Sequence, residues 1–253
     1  MNVIGSLPPF VIFFVGALLV AATRGWVRAG ILLLLPIVGG LNVLALEPGA
    51  DWQTPFFGET LTVVKVDKLS LLFGYLFHIA AFIGIVFALH VKDLVQQVSA
   101  VLYAGAALGA VFAGDMVVLF VFWELLALTS VFLIWARRTE RAYAAGMRYL
   151  LFQVSSGVVL LAGILVKFHE TGSLAIELMT LSGTAAWLIF LALGVKCCFP
   201  FLHNWLTDGY PEATPTGTVF LSAFTTKVAV YALARMFPGT ELLVYIGASM
   251  AMF

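Results

Sequence analysis

Long uninterrupted runs of apolar residues dominate this 253-residue chain. A window of about 19 residues finds eight such runs, several of them close to the 20 residues that a helix needs to cross a bilayer. The runs lie near residues 7–23, 29–46, 69–91, 96–114, 115–135, 143–166, 184–206 and 216–236. Because they are continuous and do not alternate with polar residues, they predict helices and not the strands of a membrane barrel. We therefore expect an all-α, polytopic transmembrane helical bundle.

The composition agrees with lipid as the main solvent of the chain. Hydrophobic residues make up 62% of the sequence and charged residues only 10%, whereas soluble proteins carry about 25% charged residues. The 13 Lys and Arg residues balance 13 Asp and Glu residues, so charge predicts no nucleic-acid partner. These values exclude a soluble globular domain.

The chain is interpreted as one transmembrane domain over residues 1–253. The first run has neither a basic leader nor a small-residue cleavage site, so we expect a retained helix and not a signal peptide. The longest polar connection, residues 47–68, contains an alternating stretch that predicts a short β-hairpin. Residues 242–253 would extend only about 18 Å as a helix. They predict a partial ninth span.

The distribution of basic residues predicts the orientation in the membrane. Connections after odd-numbered runs carry six Lys and Arg residues, and connections after even-numbered runs carry four. Because cytoplasmic loops are enriched in Lys and Arg, we expect the odd connections inside and the N-terminus outside. The expected location is the inner, or plasma, membrane of a bacterium.

Three ionisable side chains lie deep within the predicted spans. Glu124 is near the middle of the fifth run, Lys196 lies in the seventh, and Lys227 is central in the eighth. A charge at the bilayer centre costs about 2.5–3.5 kcal/mol on insertion scales. We therefore expect the three side chains to face one another or internal water, and not lipid.

Two interpretations of these charges remain open. Glu124 and Lys196 could form a structural ion pair that joins two helices. One carboxylate cannot neutralise two lysines, however, so one of the lysines must be hydrated, neutral or unpaired. A desolvated lysine exchanges protons more readily near neutral pH. This favours a gated proton relay through Glu124, Lys196 and Lys227.

Pro200 predicts a break in the seventh helix, shortly after Lys196. Proline removes one helical hydrogen bond, and broken helices at membrane depth are tolerated where they line a cavity. A simple proline kink is the alternative. His203 follows within one turn and could pass protons because its charge changes near physiological pH, or it could only serve as a hydrogen bonder at a helix end. The prediction is a discontinuous seventh helix at Pro200, with His203 as a candidate member of the relay.

The sequence predicts no metal, no cofactor and no enzyme active site. Cys197 and Cys198 are adjacent and have no second cysteine pair, so they cannot supply the four ligands of a zinc or iron–sulfur site. His78, in the third run, is interpreted as a buried structural histidine. No glycine-rich phosphate loop and no serine nucleophile motif is present.

Several segments resemble a known family. The segment Lys196-Cys-Cys-Phe-Pro-Phe-Leu-His203, followed by Thr226-Lys227-Val-Ala-Val-Tyr231, is similar to the core of the antiporter-like proton-translocating membrane subunits. This family includes subunits of respiratory complex I, of Mrp Na⁺/H⁺ antiporters and of membrane-bound hydrogenases. Phe122-Trp-Glu124-Leu-Leu resembles its fifth-helix glutamate motif. In detail, Asp208-Gly-Tyr-Pro211 is similar to the D-type Mrp subunit.

The resemblance implies that Glu124 and Lys196 form the control pair of a half-channel, with Lys227 as the next proton station. It also implies partner subunits in an Mrp-type, complex I-like or hydrogenase-like membrane assembly. Because family members carry a second half-channel, this chain corresponds to their N-terminal portion. We predict an ion-transport subunit that moves protons or exchanges Na⁺ for protons, and that is not itself an enzyme. The alternative is a truncated, non-conducting accessory subunit that docks onto and stabilises a larger redox or photosynthetic membrane complex.

Overall fold

The computed structural model describes residues 7–49, 51–56 and 58–252. Helices form most of this part of the chain, so the predicted all-α class is confirmed. The helices are α1 (Pro9–Ala22), α2 (Gly25–Leu44), α3 (Lys68–Ala88), α4 (Leu94–Phe112), α5 (Met116–Trp135), α6 (Glu140–Thr171), α7 (Gly183–Cys197), α8 (Asn204–Gly209), α9 (Pro215–Ala223), α10 (Thr225–Met236) and α11 (Glu241–Met250). Two strands, β1 (Asp51–Phe56) and β2 (Glu59–Lys65), lie between α2 and α3.

Within the described residues, six helical segments are long and apolar enough to cross a membrane. They are α2, α3, α4, α5, α6 and the segment Pro215–Met236 formed by α9 and α10. Helices α1, α7 and α11 are also apolar but shorter. Helix α7 ends in a short non-helical segment that leads into α8, so the predicted discontinuity of the seventh helix is confirmed. The count of eight spans stays a prediction.

Acidic side chains fix the starts of several helices. Asp67 precedes α3 and accepts a hydrogen bond of 2.8 Å from the Ser70 amide, while the Ser70 hydroxyl accepts one of 2.9 Å from the Asp67 amide. This reciprocal arrangement is a capping box. Asp115 precedes α5 and accepts a hydrogen bond of 2.8 Å from the Val118 amide. Each cap satisfies an amide that has no partner inside its helix.

The polar connection 47–68 forms an antiparallel hairpin of β1 and β2. Thr62 of β2 donates from its amide to Asp115 at 2.7 Å and accepts a 3.0 Å hydrogen bond from the Gly114 amide. The hairpin therefore docks on the start of α5. Burial raises the pKa of Asp115, and the amides of Val118 and Thr62 oppose that rise.

Helices α4 and α5 form the centre of the bundle. Helix α4 is buried along nearly all of Ser99–Phe112 and packs on α1, α3, α5 and α10. Its run Ala104-Gly-Ala-Ala-Leu-Gly-Ala110 lets neighbouring helices approach closely, as small residues do in membrane proteins. A Cβ at Gly109 would overlap the Phe122 ring of α5. Helix α6 packs on the next side of α5 and also on α7, so it lies against both of them.

Candidate functional site

Lys196 lies at the end of α7 and is completely buried. Its ammonium donates a hydrogen bond to the main-chain carbonyl of Trp123 in α5. The same nitrogen lies 4.5 Å from the centroid of the Trp123 ring, within the range of a cation–π interaction. The side chain of Lys196 therefore connects the end of α7 with α5.

Glu124 is the residue after Trp123 and is half-buried between α5 and α6. Its carboxyl group lies directly against Gly157 of α6, where a Cβ would overlap Oε1. Glu124 interacts electrostatically with Lys196, but among the described residues no ion pair of 4.0 Å or less joins them. Oε1 is buried and has no hydrogen-bond partner among those residues. The pair is thus close without direct contact.

Ser156 of α6 connects the three helices at this site. Its hydroxyl accepts a 3.1 Å hydrogen bond from the indole N–H of Trp123 and donates a 2.8 Å hydrogen bond to the Ala192 carbonyl of α7. Trp123 therefore presents its carbonyl to Lys196 and its indole to Ser156. These contacts hold the backbone next to Glu124 in one place.

Gln153 lies one turn before Ser156 and Gly157 on the same buried face of α6. Because Ser156 is opposite Ala192 on the antiparallel α7, Gln153 is at about the height of Lys196. The side chain is fully buried, and neither its amide oxygen nor its amide nitrogen has a partner among the described residues. Buried amides are nearly always hydrogen-bonded. The Gln153 amide thus marks the place where a water or a moving side chain would bind.

The break after α7 has a defined cause. Cys198 adopts a left-handed conformation with φ of 65°, and its amide donates to the Val195 carbonyl while the Phe199 amide donates to the Gly194 carbonyl. This is the Schellman arrangement that ends helices. Pro200 follows, and it can neither donate an amide hydrogen bond nor allow a helical residue before it. Pro200 therefore lies in the break, as expected.

The chain becomes helical again after His203. His203 is half-buried and immediately precedes α8. Two residues later, the indole of Trp205 donates a 2.8 Å hydrogen bond across the break to the Val195 carbonyl. His203 is thus at the far end of the break from Lys196, and its role in proton transfer stays a prediction.

Ion pairs attach the segment after the break to α6. The Arg148 guanidinium binds both carboxylate oxygens of Asp208, at 2.7 and 2.8 Å. This hydrogen bonding holds the pKa of Asp208 below its usual range. Arg141 binds Glu212 at 2.8 Å. The two pairs fix α8 and the following turn to one helix of the site.

Lys227 lies apart from Glu124 and Lys196. It is exposed on the surface of the described chain, where its ammonium donates to the Ser222 carbonyl at 2.6 Å. It is still close enough to Cys197 for an electrostatic interaction. Lys227 is therefore apart from the other two charges, and the expectation that the three side chains face one another or internal water stays a prediction. The acceptor of its ammonium is a main-chain carbonyl next to the break between α9 and α10.

Among residues 7–49, 51–56 and 58–252, no group of three or more His, Cys, Asp or Glu side chains is arranged to hold a metal. Cys197 and Cys198 are free thiols at the end of α7. His78 is buried and its Nδ1 lies 2.7 Å from the Gly74 carbonyl, in the interior of α3 and away from α5–α7.

Comparison with known proteins identifies the family. A family profile described as NADH:quinone oxidoreductase/Mrp antiporter, transmembrane, matches residues 113–253. The match covers more than half of the chain and includes Glu124, Lys196 and Lys227. This chain belongs to that family. The resemblance that the sequence predicts is therefore confirmed.

Two curated relatives of the antiporter-like family agree with this assignment. A Na⁺/H⁺ antiporter subunit of Alkalihalophilus pseudofirmus is 32% identical over 212 residues, which are 76% of this chain and 26% of that protein. The NADH-quinone oxidoreductase subunit M of Pseudomonas aeruginosa is 32% identical over 151 residues, which are 52% of this chain and 30% of that protein. The chain thus spans between a quarter and a third of the length of these relatives.

A solved structure shows the same fold. A chain of the Mrp complex from Dietzia sp. DQ12-45-1b superposes with a TM-score of 0.74 and 23% sequence identity, over 94% of this chain and 49% of that chain. The predicted integral membrane location agrees with the family and with the apolar helices. One curated relative is named as part of an antiporter and the other as part of an oxidoreductase. The similarity to the D-type Mrp subunit stays a prediction.

Proposed function

We propose that this chain is a proton-translocating subunit of a multi-subunit membrane complex of the Mrp or complex I type. The observation that carries the proposal is the burial of Lys196 beside Glu124 without direct contact between the two charges. A fully buried ammonium whose hydrogen bond goes to a main-chain carbonyl, and not to a carboxylate, is poorly stabilised at membrane depth. Such a group is retained where its protonation changes during function.

The arrangement supports a simple switch. When the Glu124 carboxylate approaches Lys196, it stabilises the ammonium and the lysine takes up a proton. When the carboxylate moves away, burial favours the neutral amine and the proton is released. The Trp123 carbonyl and Ser156 hold the surrounding backbone still during this exchange. The unpartnered Gln153 amide, on the same face of α6 as Gly157, offers a binding position for a water.

The proton path continues on the other side of α7. The break around Pro200 separates Lys196 from His203, which stands at its far end. Lys227 is the next station, at the edge of this chain. From there a proton passes to a neighbouring polypeptide, or to a further transmembrane region of the kind that the longer relatives contain. The family relatives continue well beyond the length of this chain.

The partners in this proposal are the other membrane subunits of such a complex, since the structure with the same fold is part of the Mrp complex. The proposed ion is the proton, alone or in exchange for Na⁺, because the buried Lys196 amine can bind and release a proton. The proposed location is a bacterial inner membrane with the N-terminus outside, from the distribution of basic residues.

A second candidate function is a non-conducting accessory subunit that stabilises a larger complex. The exposed position of Lys227, in contrast to the buried Lys196, favours it. In that case Glu124 and Lys196 would join α5 and α7 and nothing more. The two functions differ in what removal of the Lys196 amine does to ion flux.

The test uses the native complex in inverted membrane vesicles, with the proton gradient followed by a fluorescent dye. We expect Lys196→Ala to abolish proton flux while the complex still assembles, as judged by native gel electrophoresis. Lys92→Ala, which removes an exposed lysine from the connection between α3 and α4, is the matched control and should leave flux unchanged. Unchanged flux in Lys196→Ala would support the accessory function.

A further inference from the structure

The helix of the eighth span is interrupted at Phe224, between α9 and α10. In a continuous helix the Thr225 amide would donate to the Leu221 carbonyl. Here the Thr225 amide donates instead to the hydroxyl of Tyr103, at 2.9 Å. The same hydroxyl lies 3.4 Å from the Leu221 carbonyl and can donate to it. A tyrosine hydroxyl of α4 therefore occupies the gap in the backbone hydrogen-bond ladder.

Local sequence does not account for this break. The residues around it, Phe220-Leu-Ser-Ala-Phe-Thr-Thr-Lys227, contain neither glycine nor proline. Sharp helix kinks without those residues arise where a side chain or a water inserts into the ladder. Tyr103 is completely buried and is carried by the closely packed α4. The inserted hydroxyl is thus the physical cause that the structure offers.

The break has a direct consequence for Lys227. The Ser222 carbonyl would accept a hydrogen bond from the Thr226 amide in a continuous helix. Because the ladder is interrupted, it instead accepts the 2.6 Å hydrogen bond from the Lys227 ammonium, which also lies 3.3 Å from the Thr226 hydroxyl. The position of the Lys227 charge therefore depends on the interruption.

The Tyr103 hydroxyl also belongs to a buried chain of hydroxyl groups. It lies 2.5 Å from the Thr225 hydroxyl, and Thr225 in turn interacts with the Tyr149 hydroxyl of α6. Tyr149 lies 2.7 Å from the Ser130 hydroxyl of α5. Tyr210 donates a 2.7 Å hydrogen bond to the Leu221 carbonyl at the break. The chain reaches from the helix of Glu124 to the helix of Lys227.

We propose that Tyr103 is a positioning residue for Lys227. Its hydroxyl holds the break between α9 and α10 open, which leaves the Ser222 carbonyl available to the Lys227 ammonium. Through Thr225 it also connects that break with the hydroxyl chain that reaches α5. The structural part of this inference stands alone, whereas its effect on transport rests on the proposed function.

The structural part is tested by hydrogen–deuterium exchange on the native membrane complex, with Tyr103→Phe compared with wild type. The amides of residues 225–227 should change their exchange rate by about tenfold or more, since a buried donor loses its acceptor or the ladder closes. Tyr143→Phe, which removes an exposed tyrosine hydroxyl from α6, is the control. Unchanged exchange in Tyr103→Phe would overturn the inference.

The transport part is tested by proton flux in Tyr103→Phe, Lys227→Gln and the double variant. If Tyr103 acts through Lys227, Tyr103→Phe should lower flux by about tenfold and shift its pH profile, and the double variant should be no slower than Lys227→Gln alone. An unchanged pH profile, or losses that add in the double variant, would overturn the positioning role.

Two further variants separate the role of Tyr103 from failed assembly and from failure of the proposed function. If Tyr103→Phe does not assemble, Thr225→Val removes only the hydroxyl that lies 2.5 Å from the Tyr103 hydroxyl, and the same flux loss and pH shift are expected. Lys196→Ala is measured in parallel. If its flux is unchanged, the proposed function fails, while the exchange measurement still decides whether Tyr103 holds the break.

Discussion

The ammonium of Lys196 donates a hydrogen bond to the main-chain carbonyl of Trp123, the residue before Glu124. The lysine therefore rests on the backbone of the helix that carries its carboxylate partner, and the carboxylate itself remains out of contact. This relationship holds the amine in place and leaves the carboxyl group as the part that moves. Changes that displace the carboxyl group should therefore affect transport before they affect the fold.

Gly157→Ala should impair transport more than it impairs folding. The added Cβ would overlap Oε1 of Glu124, the far end of a flexible side chain, so the carboxyl group must turn away from its present position. A displacement of about 1 Å at a reacting group is enough to lower a rate strongly. We expect proton flux to fall by about tenfold or more, measured in inverted vesicles, with assembly retained.

Gly30→Ala is the matched control for that change. Gly30 is also a helical glycine, in α2, and a Cβ there would meet nothing within 4 Å. Because alanine is the better helix former, this variant should be unchanged or slightly more stable. Equal flux in the Gly157 and Gly30 variants would contradict the assigned position of the Glu124 carboxyl group.

Ser156→Ala should destabilise the fold. It removes the acceptor of the Trp123 indole N–H and the donor to the Ala192 carbonyl. Leaving a buried donor unsatisfied costs about 1–3 kcal/mol. We expect a lower melting temperature of the purified complex. Ser155→Ala changes the exposed neighbour in the same helix and should leave the melting temperature unchanged. A similar fall in melting temperature in both variants would argue against the bridging role of Ser156.

Asp67 should make the protein sensitive to acid. Burial acts to raise the pKa of this carboxyl, but the Ser70 amide and Arg235, 2.5 Å away, outweigh it and hold the pKa below its usual value. A carboxyl with a lowered folded-state pKa stabilises the protein above about pH 4, and this contribution is lost as the pH falls below that value. Thermal unfolding measured against pH should therefore show a loss of stability at acid pH.

Asp67→Asn should remove that part of the acid sensitivity. The variant is expected to be less stable than wild type at neutral pH and to approach it at low pH. Asp51→Asn, in the exposed strand β1, makes the same chemical change elsewhere. If the wild type and Asp67→Asn lost stability in parallel as the pH fell, Asp67 would have no such role.

The sequence predicts those features that depend on local hydrophobicity and on the depth of charges. Helix positions follow from apolar runs of membrane length, and the break after Lys196 follows from Pro200. The approach of Glu124 to Lys196 is predictable because both charges lie within apolar spans and neither is tolerated against lipid.

Other features depend on contacts between distant parts of the chain and were not predictable. Tyr103 and Thr225 are 122 residues apart in sequence, and no local signal indicates that a tyrosine of α4 interrupts the eighth span. The hydrogen bond of Lys227 to the Ser222 carbonyl lies at that interruption. The deep burial of Gln153 without partners depends on the relative register of α6 and α7, which hydrophobic runs do not define.

The central claim is that Glu124 and Lys196 act as one unit in proton transfer. The most direct measurement is proton flux by the native complex in Glu124→Gln, Lys196→Met and the double variant, at equal amounts of assembled protein. Residues that act as a unit give strongly non-additive losses. The account predicts that the double variant retains the same flux as the more impaired single variant. Losses that multiply in the double variant, or single variants that transport as well as wild type, would contradict it.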